Sequence, residues 1–206
     1  MTAKAGTAPL TDLPPPVERE ALHTRTYHFR GFHRADGLFD IEGRMVDTKD
    51  YAFPNEFRGM VEPGEPLHDM IIRLTIDLDF VVHDIAVVTA AAPYSICPAI
   101  TPAFDAVKGM SVSKGWSKNL IATFGGAHGC THHIEMLRAM GTVAFQTLFG
   151  WKEKRKREMG GATSAGPTTT TPGKRPGFLD TCHALASDGD VVREHWPEFY
   201  TGNREI

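Results

Sequence analysis

Cysteine is scarce in this sequence: Cys97, Cys130 and Cys182 are the only three in 206 residues, odd in number and far apart. That pattern argues against a secreted disulfide framework and leaves each thiol free to fill core, bind metal or act as a nucleophile. Long apolar runs are lacking as well. The longest β-like stretch, residues 81–92, is interrupted by His83 and Asp84, so nothing reaches the length that spans a bilayer. Residues 1–16 are small, polar and proline-rich, without the apolar centre of a secretion signal, and a cytoplasmic location is expected. Nor is there an excess of one charge. A formal net charge of −3 gives no electrostatic reason to bind nucleic acid, and neither nucleic acid nor a membrane is expected as a partner. Cys-x-x-Cys, His-Glu-x-x-His, Gly-x-Ser-x-Gly and a phosphate-binding glycine loop are all missing.

What is present is ordinary globular material: 41% hydrophobic and 23% charged residues, in a length that suits one domain. The organisation expected is a flexible arm (1–20), an α+β core (21–150), a disordered Gly/Thr/Pro-rich linker (151–176) and a C-terminal segment (177–206). That segment is too short to fold alone and is expected to pack back on the core.

Alternation dominates the first half of the core. Arg25, Tyr27, Phe29 and Gly31 share one strand face. After the turn dipeptide Asp36-Gly37, Phe39, Ile41 and Met45 alternate with Asp40, Glu42 and Arg44. Residues 54–66 read as a connection. Met70, Ile72, Leu74, Ile76 and Leu78 then alternate with Ile71, Arg73, Thr75, Asp77 and Asp79, which are expected to face solvent; a return strand follows over 82–91. The fold class is therefore α+β, an antiparallel meander of about four strands with helices packed on one face.

The second half changes period. Cys97-Pro98 opens a helix that stops at Gly109, with Ile100, Phe104 and Val107 on one face. A short helix is expected around Trp116–Phe124. Residues 131–149 form a long amphipathic helix, its buried stripe made of Ile134, Leu137, Gly141, Phe145 and Leu148. Gly141 inside that stripe predicts close packing against a neighbour.

Chemistry concentrates at the head of the long helix, in Gly129-Cys130-Thr131-His132-His133. Unpaired backbone N–H groups and the helix dipole favour an anion there, so Cys130 suits either a nucleophile or a metal ligand, with His132 as base or second ligand. Cys97 has the same local setting at another helix start. His68-Asp69 opens the best strand, and since adjacent residues alternate across a strand, at most one of them faces inward. Cys182-His183 lies in a docking segment that could complete a site formed by the core.

The ordered run Asp36-Gly37-Leu38-Phe39-Asp40, His68-Asp69-Met70, Pro93-Tyr94-Ser95-Ile96-Cys97, Gly129-Cys130-Thr131-His132 and Leu179-Asp180-Thr181-Cys182-His183 resembles a bacterial family catalogued as domain of unknown function 2889. The resemblance covers residues 25–197 and implies one polar site built from those segments, adding Tyr94, Cys182 and His183 to it. In that family's pattern the residue after Thr-His is aliphatic, so Cys130 and His132 carry over and His133 does not. A fainter likeness, to scaffold proteins of iron–sulfur cluster assembly, implies a similar fold only.

The function these residues suggest is a small-molecule enzyme, a hydrolase or lyase in catabolism, acting through Cys130, His132 and Asp69. A zinc or iron ion on Cys130, His132, His68 and Cys97 is the cofactor that these donors would suit. The alternative is a non-enzymatic metal or iron–sulfur binding module.

Overall fold

The computed structural model describes residues 13–113, 115–160 and 173–202. Of the expected arm, residues 1–12 lie outside this range, while 13–20 are exposed and carry no helix or strand. The described chain forms two compact units, Met1–Phe145 and Gln146–Ile206.

The first unit opens with strands β1 (His23–His33) and β2 (Phe39–Lys49). Next come a small hairpin, β3 (Phe53–Asn55) with β4 (Gly59–Val61), and then β5 (Pro66–Ile76) and β6 (Val82–Ala91). The long strands make one antiparallel sheet in the order β1-β2-β5-β6. The expected α+β meander is present; the small hairpin stands where only a connection was expected.

Register explains the core. Ile41 pairs with Leu74, and Met45 with Met70, so the two apolar rows fall on one face. Phe39, Ile41, Met45, Ile72, Leu74 and Ile76 on that face are fully buried. Gly43 sits in the same row because a side chain has no room there. A Cβ would lie 2.7 Å from a Phe29 ring carbon and 3.3 Å from Met136, which comes from the long helix.

Two details differ from the alternation. β5 ends at Ile76, because the Asp77 carboxylate accepts hydrogen bonds from the backbone of Asp79 and Val81, 2.9 Å each, and folds the chain into a turn. Leu78 is consequently 41% exposed. Thr75, expected to face solvent, is only 4% exposed: its hydroxyl donates to Asp40 at 2.7 Å beneath the Arg34 guanidinium.

Residues Cys97–Val107 coil as a 3-10 helix burying Phe104 and Val107. Pro102 within it has no N–H to donate, which works against regular α-helical bonding. Helix α1 (Trp116–Phe124) buries Trp116, Leu120 and Phe124. Helix α2 (Thr131–Glu158) continues through the charged run that was assigned to the start of the linker. Its buried residues are His133, Met136, Leu137, Met140, Ala144 and Leu148, so the stripe is turned slightly from the expected one. Gly141 does mark a close approach: a Cβ would meet the Trp116 ring at 2.9 Å, and Trp116 is held by a 2.6 Å bond from Nε1 to the Leu137 carbonyl. Gly141→Val should therefore lower stability by about 1–3 kcal/mol through overcrowding, measured as a fall in the urea midpoint. An unchanged midpoint would show that Trp116 can step aside.

In the second unit, Leu179, Val192 and Trp196 form a small core flanked by Phe178, Leu185 and Phe199. Asp180 organises the loop that follows it, accepting from the Ser187 backbone and hydroxyl at 2.8 Å each and pairing with Arg175.

Candidate functional site

One end of the helix-covered face of the sheet is polar. Asp47 continues the apolar row of β2 and pairs in register with His68, which continues the row of β5. The ladder slips between Asp47 and Thr48, a bulge of the kind that re-aims side chains beside sites. His23 and Arg25, on the edge strand β1, share this face.

Asp47 is the hub and is only 2% exposed. Arg25 grips it with two bonds, Nε to Oδ1 at 2.7 Å and Nη2 to Oδ2 at 2.8 Å. His23 Nε2 donates to Oδ1 at 3.0 Å, and His68 Nδ1 to Oδ2 at 3.0 Å. Burial alone would push this carboxyl up. The Arg25 bonds, with help from His23 and His68, outweigh it and hold the group at about 2. Asp47 is thus an anion at any ordinary pH.

α2 closes the site from above. The Cys130 carbonyl accepts the first helical bond, from Ile134 at 3.0 Å, which makes Cys130 the helix cap and turns His132 toward the sheet. The His132 and His68 rings lie 4.1 Å apart, centre to centre. His132 Nε2 stands 3.8 Å from Asp47 Oδ2, and its Nδ1 stands 3.9 Å from the Cys130 sulfur. Burial lowers the affinity of both imidazoles for protons. For His68 the Asp47 carboxylate opposes this; for His132 the neighbouring His68 and Arg25 add to it. Both rings are neutral near pH 7, the form that binds metals or accepts protons. Glu135, one turn further along α2, accepts from Arg25 Nη1 at 3.0 Å and from the Tyr27 hydroxyl at 3.1 Å, fastening α2 to β1.

Of the residues singled out from sequence, Cys130, His132 and His68 come together. Asp69 does not join them: it points to the opposite face of the sheet, where Arg44 holds it with bonds of 2.8 and 2.6 Å. Among the described residues the single group of metal-ligating side chains is Asp47, His68 and His132, with donor atoms all within 4.8 Å of one another. Cys97 heads the 3-10 helix, half-buried and outside that group. Tyr94 is exposed at the end of β6, and Cys182 and His183 are exposed in the second unit. Asp47, Arg25 and His23 were not anticipated, although Asp47 had a signal. The row Phe39, Ile41, Gly43, Met45 leads by parity directly to it.

Fold and site together define an α+β protein with a buried carboxylate–histidine centre at one end of its sheet. The chain belongs to the family described as protein of unknown function (DUF2889), whose model matches residues 23–146, more than half its length and all of the centre just described. No curated protein and no solved structure matches it, and the likeness to iron–sulfur scaffold proteins gains no support. No described helix is long and apolar enough to cross a membrane.

Proposed function

We propose that the protein is a cytoplasmic small-molecule enzyme, a hydrolase or lyase of catabolism, whose chemistry runs on one zinc or iron ion held by Asp47, His68 and His132. The spacing of the three donors supports this most directly. Two ligands on a tetrahedral ion bound at about 2.0–2.1 Å stand about 3.3 Å apart. Asp47 Oδ2 is 3.0 Å from His68 Nδ1 and 3.8 Å from His132 Nε2, on either side of that value. A gap of 3.8 Å is too long for a hydrogen bond. The same test disfavours a Cys130–His132–Asp47 proton relay, since its His132–Asp47 link, at 3.8 Å, is that long.

An ion would take the place of the proton between His68 Nδ1 and Asp47 Oδ2, and that proton would move to His68 Nε2, so the ring stays neutral when it ligates. Cys130 would stay off the metal, its sulfur facing the second nitrogen of His132 and setting that ring's orientation. Three protein ligands leave a position for water or substrate, the arrangement of catalytic rather than structural sites. Such an ion supplies a Lewis acid and a hydroxide at neutral pH.

Protein purified without chelator should carry close to one zinc or iron per chain by elemental analysis. His68→Ala and His132→Ala should each weaken uptake at least tenfold, while Cys130→Ser should retain it. A wild type that takes up neither metal on titration sinks the reading. With cobalt substituted, azide should shift the visible spectrum if a coordination position is open. An unresponsive spectrum would favour the non-enzymatic binding module.

A further inference from the structure

The face of the main sheet opposite the buried apolar rows stands open, and a shallow groove of ≈ 430 Å³ runs across it. Pairing sets its pattern in rows. Arg30, Glu42, Arg73 and Ala86 lie side by side across the four strands. His28, Arg44, Ile71 and Val88 form the next row. The two halves of the face therefore differ. On β1 and β2 it carries long polar side chains. On β5 and β6 it is short and apolar apart from Arg73, with Ile71 36% and Val88 48% exposed.

The charges of this face are only partly used within the chain. Arg44 is taken up by Asp69 at 2.6 Å. Arg30, Glu42 and Arg73 close no ion pair among the described residues, although Glu42 is the direct cross-strand neighbour of both arginines. A purely anionic ligand laid in the groove would meet the Glu42 carboxylate between its arginines. The alternation of sign suits a partner that presents both charges. This face is itself such a surface.

We infer that the open face is where two copies of the chain meet, in a symmetric dimer whose sheets stack face to face. A two-fold axis between the stacked sheets, parallel to the strands and midway between β2 and β5, sets β2 of one copy over β5 of the other. The same axis sets β1 over β6. Each Glu42 then faces the partner's Arg73, an ion pair made twice by symmetry. Arg30 lies over the partner's Ala86, His28 over the partner's Val88 and Arg44 over the partner's Ile71. Long side chains thus meet short ones, and the arginine stems cover the apolar half. The area is adequate. The four strands hold 10 or 11 residues each. At about 4.8 Å between strands and about 3.3 Å per residue they make a face of about 700 Å². Each partner in a standard interface contributes about 800 Å². The buried carboxylate–histidine centre lies on the other face of the sheet, so this association does not depend on the function proposed above.

Sedimentation equilibrium of the full chain, up to about 100 μM, tests it. The wild type should show the mass of two chains, with and without added zinc. Glu42→Arg and Arg73→Glu each set like charges against each other at both symmetry-related pairs, and should weaken association about tenfold or more. Val88→Lys should do the same from the apolar half. The three variants should keep the wild-type circular dichroism, because their side chains lie outside the core. An equal mixture of Glu42→Arg and Arg73→Glu should regain the two-chain mass, since every facing pair is again of opposite sign. A wild type that is monomeric at the highest concentration overturns the inference. So does a dimer indifferent to all three substitutions, which would use another surface, or a mixture of the two charge reversals that stays monomeric.

Discussion

Asp47→Ala should cost about 3–5 kcal/mol of folding stability at neutral pH and abolish metal uptake. The stability loss follows from what remains behind. Arg25 is 29% exposed and is held by both carboxylate oxygens; without them it keeps, among the described residues, only the exposed Glu135 as an anionic partner. Breaking a buried ion pair from one side costs that much because the surviving charge is left uncompensated. The sign with pH can be stated from the folded value of about 2 against the ordinary 3.8. Ionised Asp47 contributes its stabilisation in full above the ordinary value and loses it as pH falls through the folded one. The variant should therefore differ from the wild type over the whole neutral range and converge on it only in strong acid. Urea unfolding at pH 7 and pH 1.5 measures both. A loss below about 1 kcal/mol at pH 7 would show that water replaces the carboxylate without penalty.

His133→Leu should do the opposite and stabilise the protein. His133 is completely buried against Phe104, ring centres 5.2 Å apart, and neither ring nitrogen has a hydrogen-bond partner among the described residues. Burial is the main reason that its proton affinity falls from 6.5 to about 4. The nearby Val88 backbone opposes the fall without forming a bond, and His132 adds to it. Between those two values the unfolded chain takes up a proton that the folded chain refuses. The folded state thus loses stability as pH drops through 6.5 toward 4, by about 3 kcal/mol in total. Leucine removes that slope and the unpaired polar atoms with it, adding about 1–3 kcal/mol at pH 7 and more at pH 5. Unfolding curves at the two pH values decide the matter. If both proteins lose stability equally on acidification, His133 has a partner when protonated and the gain will not appear.

His133 also shows where sequence reasoning falls short. Its ring makes the first position of the buried stripe look polar, which turned the expected stripe toward Ile134 and Phe145. The structure instead buries His133 with Leu137, Met140 and Ala144. The sheet was legible because the alternation from Met70 to Ile76 admits one register only; a slip by one residue would bury Arg73. The centre was half legible. His68 and His132 stood out as chemical residue types beside turns and helix starts, whereas Asp47 looked like one more carboxylate in a polar strand. Its meaning depends on parity continued past Met45 and on pairing with Arg25, 22 positions away. Asp69 was the more conspicuous acid, yet the pleat turns it to the far face. The bulge beside Asp47 left no mark in composition, since it is a property of two strands together.

The order β1-β2-β5-β6 leaves β1 as an outermost strand, with no strand among the described residues paired along its second edge. Such an edge can recruit another extended chain, and 11 residues give it ample length for intermolecular sheet growth. What discourages that growth is the composition of β1 itself: Arg25, His28 and Arg30 are spaced along it, and Gly31 weakens its intrinsic strand preference. Arg25 therefore serves solubility as well as the centre. A chain that lost this one guanidinium would expose a less charged, more adhesive border at the very end of the sheet where its buried carboxylate had just been released.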